Sequence, residues 1–393
     1  MISKSTVTNT LKKNTMLIAL VAVMIMFQVM ITVTDRGSLF APANITNLIS
    51  QNSYVVILAT GMLLCILTGG NIDLSVGSVV ALVGAVAGTL IVNLHWNIYI
   101  SMMLCLLVGV AIGAWQGYWI AYVRIPPFIV TLAGMLLWRG VALLILNGLT
   151  ISPFPDNYLK YFTSFVPSGA THGMIMAFTM IVGIVISILV VVMNILDRVK
   201  KLKKNYQVES IYTLIAKCVA LCAVILLLSF LLGQHKGIPV ILILLGIIVV
   251  IYSFYTSKTV AGRHLYAFGG NEKAAKLSGV DTNKVLFSAY LNMGFLSAVA
   301  ALVCVARFNS AAPSAGTSYE MDAIGSCFIG GASAYGGTGT VGGAVIGAIF
   351  MGVLNNGMSI LGIDANWQKA VKGLVLLAAV IFDVLSKKRV KNN

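Results

Sequence analysis

The sequence predicts an all-α polytopic membrane protein with about twelve transmembrane segments, some of them interrupted. Three observations predict it. Of 393 residues, 59% are hydrophobic and 9% charged, whereas about a quarter of the residues in a soluble domain are charged. Apolar runs of bilayer length recur along the whole chain. The 26 Lys and Arg outnumber the 11 Asp and Glu, and the net charge of +15 collects between those runs. In so apolar a chain this surplus orients helices in a membrane and does not grip nucleic acid. A soluble enzyme, a nucleic-acid-binding protein and a secreted disulfide scaffold are excluded.

A spanning helix needs about 20 apolar residues. Apolar runs lie near 16–34, 54–68, 76–93, 98–123, 127–147, 174–196, 212–232, 238–256, 285–306, 321–334, 339–360 and 367–385. Twelve crossings return both termini to one side. Lys4, Lys12, Lys13, Arg124, the cluster from Arg198 to Lys204, the loop from Lys258 to Lys284 and the C-terminal Lys387, Lys388, Arg389 and Lys391 all fall on that side. The opposite loops hold Arg36, Lys160, Lys236 and Arg307, so the positive-inside rule places both termini in the cytoplasm. The first run is longer than the core of a signal peptide, about 7–15 residues. It reads as a retained anchor despite the small-residue pattern Ala41-Pro42-Ala43. Residues 1–393 form one transmembrane domain. Within it, 16–196 is a first helix set, 197–257 a basic linker with two helices, 258–284 a charged cytoplasmic loop and 285–393 a C-terminal helix set.

Two glycine-rich stretches break the helix rules. Gly69-Gly70-Asn71-Ile72-Asp73-Leu74-Ser75-Val76-Gly77 and Gly330-Gly331 through Gly336-Gly337 to Val341-Gly342 each place a polar interval between Gly-Gly and a Val-Gly that opens another apolar run. The runs before them, 54–68 and 321–334, reach only about 20–23 Å at about 1.5 Å per residue, short of a hydrocarbon core about 30 Å thick. Interrupted or re-entrant helices follow, and irregular backbone at membrane depth survives where protein or a water-filled cavity satisfies it. Gly84, Gly88, Gly109, Gly113, Gly347 and Gly352 read instead as close helix packing.

Asn71, Asp73 and Ser75 are candidates for lining the pathway, because an acid inside the membrane needs water, a partner or a helix terminus. Asp73 or Ser75 capping the helix that starts near Val76 is an equal and compatible reading. Glu320 and Asp322 are first-turn acids at an outer mouth. Arg139, inside an apolar run, either snorkels or faces a central cavity. Asn147, Asn292, Asn355 and Asn356 place amides at membrane depth, where they bond hydroxyls or neighbouring helices.

The loop from Ser257 to Lys284 carries a short helix with its ends written in. Asn271 is a good N-cap, Glu272 suits the first turn and Gly279 a C-terminal stop, with Ala275 and Leu277 available for contact. Two turns are unstable alone, so this helix gains stability by docking, on its own protein or on a partner. The stretch Asp197 to Ser210 reads as a solvated basic linker. No phosphate-cradling GxxxxGK[ST], GxSxG elbow or HExxH pair occurs, so any ATP chemistry belongs to another subunit. The six cysteines lie in apolar runs without CxxC spacing and read as packing residues. The four histidines fall in four separate loops, so no metal site is expected.

Taken in order, the glycine segment 69–77, Pro126-Pro127-Phe128-Ile129-Val130-Thr131-Leu132 with Arg139-Gly140, the segment 262–279, and Tyr319-Glu320-Met321-Asp322-Ala323-Ile324 resemble the permease subunit of bacterial ABC importers of the ribose, galactose and xylose class. Leu354-Asn355-Asn356-Gly357, Trp367-Gln368 and Lys372-Gly373 continue the resemblance. It implies the ABC importer permease fold and alternating access by a homodimer. Its expected partners are a cytoplasmic ATPase carrying ATP and Mg, a periplasmic or extracellular sugar-binding protein, and membrane lipid. It also implies that the loop around Asn271, Glu272, Ala274, Ala275, Leu277, Ser278 and Gly279 is the coupling segment that enters the ATPase. The added residues 197–257 resemble the longer xylose-type branch, making xylose or a mixed sugar set the first substrate expectation. A proton-coupled symporter using Asp73 or Glu320 is the rival, and a scaffold protein indifferent to Asp73 the third reading.

Overall fold

The computed structural model describes residues 15–391 except 207 and 209. Lys4, Lys12 and Lys13 lie outside the described residues, as do the side chains of Lys387, Lys388, Arg389 and Lys391. The described chain is a bundle of α-helices: α1 Thr15–Val33, α2 Pro42–Leu67, α3 Val76–Gly88 with a π turn to Asn93, α4 Ile98–Ala121, α5 Pro127–Leu146, α6 Asp156–Thr163, α7 His172–Lys203, α8 Ile211–Gly233, α9 Val240–Lys258, α10 Val260–Gly270, α11 Glu272–Leu277, α12 Thr282–Phe308, α13 Tyr319–Ile329, α14 Val341–Ile360 and α15 Ala365–Lys391. Two-residue strands, β1 Phe165–Val166 and β2 Ile238–Pro239, pair antiparallel.

Ten helices among the described residues are long and apolar enough to cross a membrane: α1 to α5, α7 to α9, α12 and α14. The expected twelve are not reached. α13 has 11 residues and spans about 16 Å at about 1.5 Å per residue. α15 has 27 residues and carries Lys369, Lys372 and Asp383.

The short run expected at 54–68 is corrected, since α2 has 26 residues and begins at Pro42. Proline suits the first helical position because its missing N–H has no intrahelical partner there. The polar stretch 42–53, which reads as loop in sequence, is helical because other helices satisfy its amides. Asn52 donates to the Ala348 carbonyl at 2.6 Å, and Asn44 and Asn356 exchange amide bonds at 2.9 and 3.0 Å.

α7 runs on through the expected linker to Lys203, with Asp197 and Lys201 paired at 3.4 Å. His172 opens α7 and His264 lies inside α10, so neither is in a loop. α2 and α12 form the buried centre. α4 crosses α12 so closely that a Cβ at Gly294 would overlap the Gly109 carbonyl oxygen, and Gly113 sits against the Tyr290 carbonyl. α7 and α8 pack together at Gly183 and Gly233 on the rim and expose Met193, Val219 and Val224, the apolar coat that lipid requires. All six cysteines are free and five are buried.

Candidate translocation pathway and coupling site

The two glycine segments meet. The Gly337 amide donates to the Leu67 carbonyl at 3.1 Å, and a Cβ at Gly336 would overlap the backbone of Gly69. Gly70, with φ +78°, lies so close to Ala334 that its Cβ would overlap that residue's carbonyl oxygen. A third Gly-Gly pair completes the junction: Gly269 on α10 sits against the Leu67 carbonyl and the Gly337 amide. The breaks after α2 and α13 and the segment before α11 are thus packed backbone on backbone, at a distance that side chains would prevent.

Asp73 is buried, and its Oδ1 accepts from the Ser75 amide at 2.8 Å and the Ser75 hydroxyl at 2.7 Å. Gln116 on α4 donates to that hydroxyl at 2.6 Å. Asp73 therefore fixes the turn that leads into α3. Ser75 holds the N-cap position but its side chain makes no cap bond. Asn71 donates to the Thr68 carbonyl at 2.6 Å and borders a cavity of about 350 Å³ shared with Arg124, Phe268, Gly269 and Glu272.

Arg139 is engaged within its own chain. It donates to the carbonyls of Pro313, at 3.1 Å, and Ala315. Residues 313–316 are irregular, and Gly316 sits against Gly77 in the first turn of α3, with the Glu320 carboxylate beside it. Arg139 is twelve residues beyond Pro127, about 18 Å along α5, so this backbone lies at membrane depth. The guanidinium supplies donors that such carbonyls cannot obtain from lipid.

Glu320 and Asp322 stand in the first turn of α13, as expected. Asp322 is not at an open mouth, because it is buried in an ion pair with Lys372 at 2.8 Å and accepts from the Tyr54 hydroxyl at 2.7 Å. These three groups tie α2, α13 and α15 together. Tyr54 also stacks on Tyr319 with ring centroids 3.8 Å apart. Asn355 lines a separate cavity of about 180 Å³ with Gln51, Asn52, Arg307 and Tyr319, and its buried Oδ1 has no hydrogen-bond partner among the described residues.

The helix α11, Glu272–Leu277, lies between Asn271 and Gly279 as the sequence expects, and is preceded by the unforeseen α10. Asn271 caps it by accepting from the Ala274 amide at 3.0 Å, Ser278 donates to the Ala274 carbonyl at 2.9 Å, and Gly279 follows with φ +85°. Ala275 is 5% exposed and packs on its own chain, whereas Leu277 is 90% exposed. Of the two expected contact residues, only Leu277 is presented outward. Arg124 clamps the helix from the α4–α5 turn, pairing with Glu272 at 2.6 Å and donating to Asn283 and Thr282. Asp281 caps α12, and the Lys284 amide and ammonium hold its carboxyl below the usual range.

Sequence reasoning missed the pairing of Lys372 with Asp322, the parts played by Tyr54 and Gln116, and the clamping role of Arg124. The irregular leg 310–318 also went unread, although its run Ala311-Ala312-Pro313-Ser314-Ala315-Gly316 was a legible break signal.

These features define a polytopic membrane permease. Residues 44–380 match the family described as branched-chain amino acid transport system / permease component, and the chain belongs to that family. The xylose transport system permease protein of Escherichia coli (strain K12) is 35% identical over 374 residues, 95% of this chain and 92% of that protein. Its counterpart in Haemophilus influenzae (strain ATCC 51907 / DSM 11121 / KW20 / Rd) is 36% identical over 95% of this chain and 96% of its own. The ribose import permease protein of E. coli K12 is 33% identical over 93% and 92%. No solved structure matches the chain. The resemblance to sugar permeases of the ribose and xylose class stands, and the chain is a transport subunit and not itself an enzyme.

Proposed function

We propose that this chain is the membrane-spanning subunit of an ATP-driven importer of a monosaccharide, xylose first, lying in a bacterial cytoplasmic membrane with both termini inside. Two copies enclose the passage, an external binding protein delivers the sugar, and ATP with Mg is bound and hydrolysed on a separate ATPase that grips α11. The observation that carries this reading is the packing of Gly269 against Leu67 and Gly337. It leaves no slack between the coupling segment and the breaks in two membrane segments, so a displacement of α10 and α11 by the ATPase moves both breaks together. Asn71, Glu320 and Asn355 border the passage in this reading, while Asp73, Ser75, Arg139 and Asp322 hold its walls.

Sugar choice rests on the xylose and ribose permeases to which the chain is similar. In cells stripped of their own pentose importers, the permease expressed with its ATPase and binding protein confers uptake of labelled xylose. Excess unlabelled ribose then reports how broad the sugar set is. Absence of any monosaccharide uptake from a correctly assembled complex contradicts the reading.

A further inference from the structure

A groove of about 330 Å³ opens on the outside of the single chain between the irregular leg and the start of α15, lined by Ser314, Thr317, Ser318, Gln368, Lys369 and Lys372. Apart from Ala365 every residue lining it is polar. Its depth follows from two contacts. Ser314 lies between the Pro313 and Ala315 carbonyls that Arg139 holds at membrane depth. Lys369 and Lys372 are four and seven residues into α15, about 6 and 10 Å below its outer end. Hydroxyls, an amide and the Lys369 ammonium facing hydrocarbon at that level are costly, and such residues face a bundle interior or water instead. The chain alone supplies neither there.

Lys372 is neutralised by Asp322, but Lys369 is exposed and makes no ion pair among the described residues. Facing copies of the chain would bring two Lys369 ammonium groups toward one another. Like charges repel strongly in a dry contact and weakly across water, so the space between them must be wet. Thr317 donates to the Ser314 carbonyl at 2.7 Å and Gln368 to the Ile363 carbonyl at 2.9 Å, so their oxygens are turned to accept from the hydroxyls of a neutral polyol, and the lysines exclude cations.

We propose that this groove is the outer vestibule of the passage, a wall for a neutral monosaccharide that is completed by the same groove of a second copy. The proposal rests on the importer reading above. It adds Ser314, Thr317, Gln368 and Lys369 as lining residues.

The test uses the complete importer in membrane vesicles, with single cysteines placed at Thr317, at Lys369 and, as a rim control, at Val219, in a background whose native cysteines are replaced. Because the hydrated thiolate is the reactive form, a water-soluble maleimide added from the outer side should label Thr317→Cys and Lys369→Cys about tenfold faster than Val219→Cys. Saturating xylose should slow the labelling of Thr317→Cys, and a short bifunctional maleimide should join two Lys369→Cys chains. Labelling as slow as at Val219→Cys, in vesicles that still take up sugar, would show that the groove faces lipid and overturn the vestibule. Fast labelling that no monosaccharide slows would overturn the sugar wall. Absence of uptake by the unmodified complex would instead remove the importer reading, while the labelling rates still report whether water fills the groove.

Discussion

The amide of Gly337 donates to the carbonyl of Leu67 at 3.1 Å, joining the break after α13 to the end of α2. Gly269 on α10 packs over the same bond. Backbone contacts of this kind have no side-chain tip to bend, so the three segments shift as one or separate altogether. Four predictions follow from the neighbourhood of this contact and from the groups that surround it.

Gly70→Ala places a side chain where φ is +78° and where the Ala334 carbonyl leaves no room. The left-handed conformation alone costs about 1–3 kcal/mol, and the overlap adds to it. The variant should melt lower than the parent in detergent and lose most uptake. Gly140→Ala, a position with open space around it, should do neither; equal tolerance of the two variants would show that the junction is loose.

Leu277→Asp should leave the permease folded, because a fully presented surface side chain contributes within about 0.5 kcal/mol. Co-purification of the ATPase should fall sharply. Ala275→Arg should also lose the ATPase, but with a lowered melting temperature, since Ala275 is buried against its own chain. Pull-down and melting measured on the same preparations separate the two causes. An ATPase that binds Leu277→Asp as well as the parent removes this residue from the interface.

Removing the cation from the Asp322–Lys372 pair strands a carboxylate that is 1% exposed. Lys372→Met should therefore cost about 3–5 kcal/mol, and adding Asp322→Asn should recover much of it. A double-mutant cycle read by thermal melting measures the coupling. Strictly additive losses would mean that the pair contributes nothing beyond its two side chains.

Asp73 serves Ser75 as a hydrogen-bond acceptor, and an amide oxygen can accept the same bonds. Asp73→Asn should accordingly keep stability within about 1 kcal/mol, whereas Asp73→Ala leaves the Ser75 amide and hydroxyl unsatisfied at a cost of about 1–3 kcal/mol. Uptake should follow stability in this pair. Complete loss of transport in a stable Asp73→Asn protein would give the negative charge a role that accepting from Ser75 does not explain.

Composition and apolar runs made the membrane bundle legible, and Asn271, Glu272 and Gly279 marked the helix α11 because capping chemistry is local. Long-range pairing was not legible. The polar residues from Asn44 to Ser53 look like loop until Ala348 and Asn356 are brought beside them. Asp322 looks like a mouth acid until Lys372, fifty residues on, is seen to neutralise it. The meeting of Gly70 with Ala334 depends on how two distant breaks pack, which no local spacing encodes.

Purified permease in proteoliposomes, with its binding protein outside and its ATPase on the inner face, tests the whole account most directly. Labelled xylose should accumulate when ATP is enclosed, fail to accumulate with Leu277→Asp permease, and stay flat when a proton gradient replaces ATP. Accumulation driven by the proton gradient in liposomes holding this chain alone would contradict it.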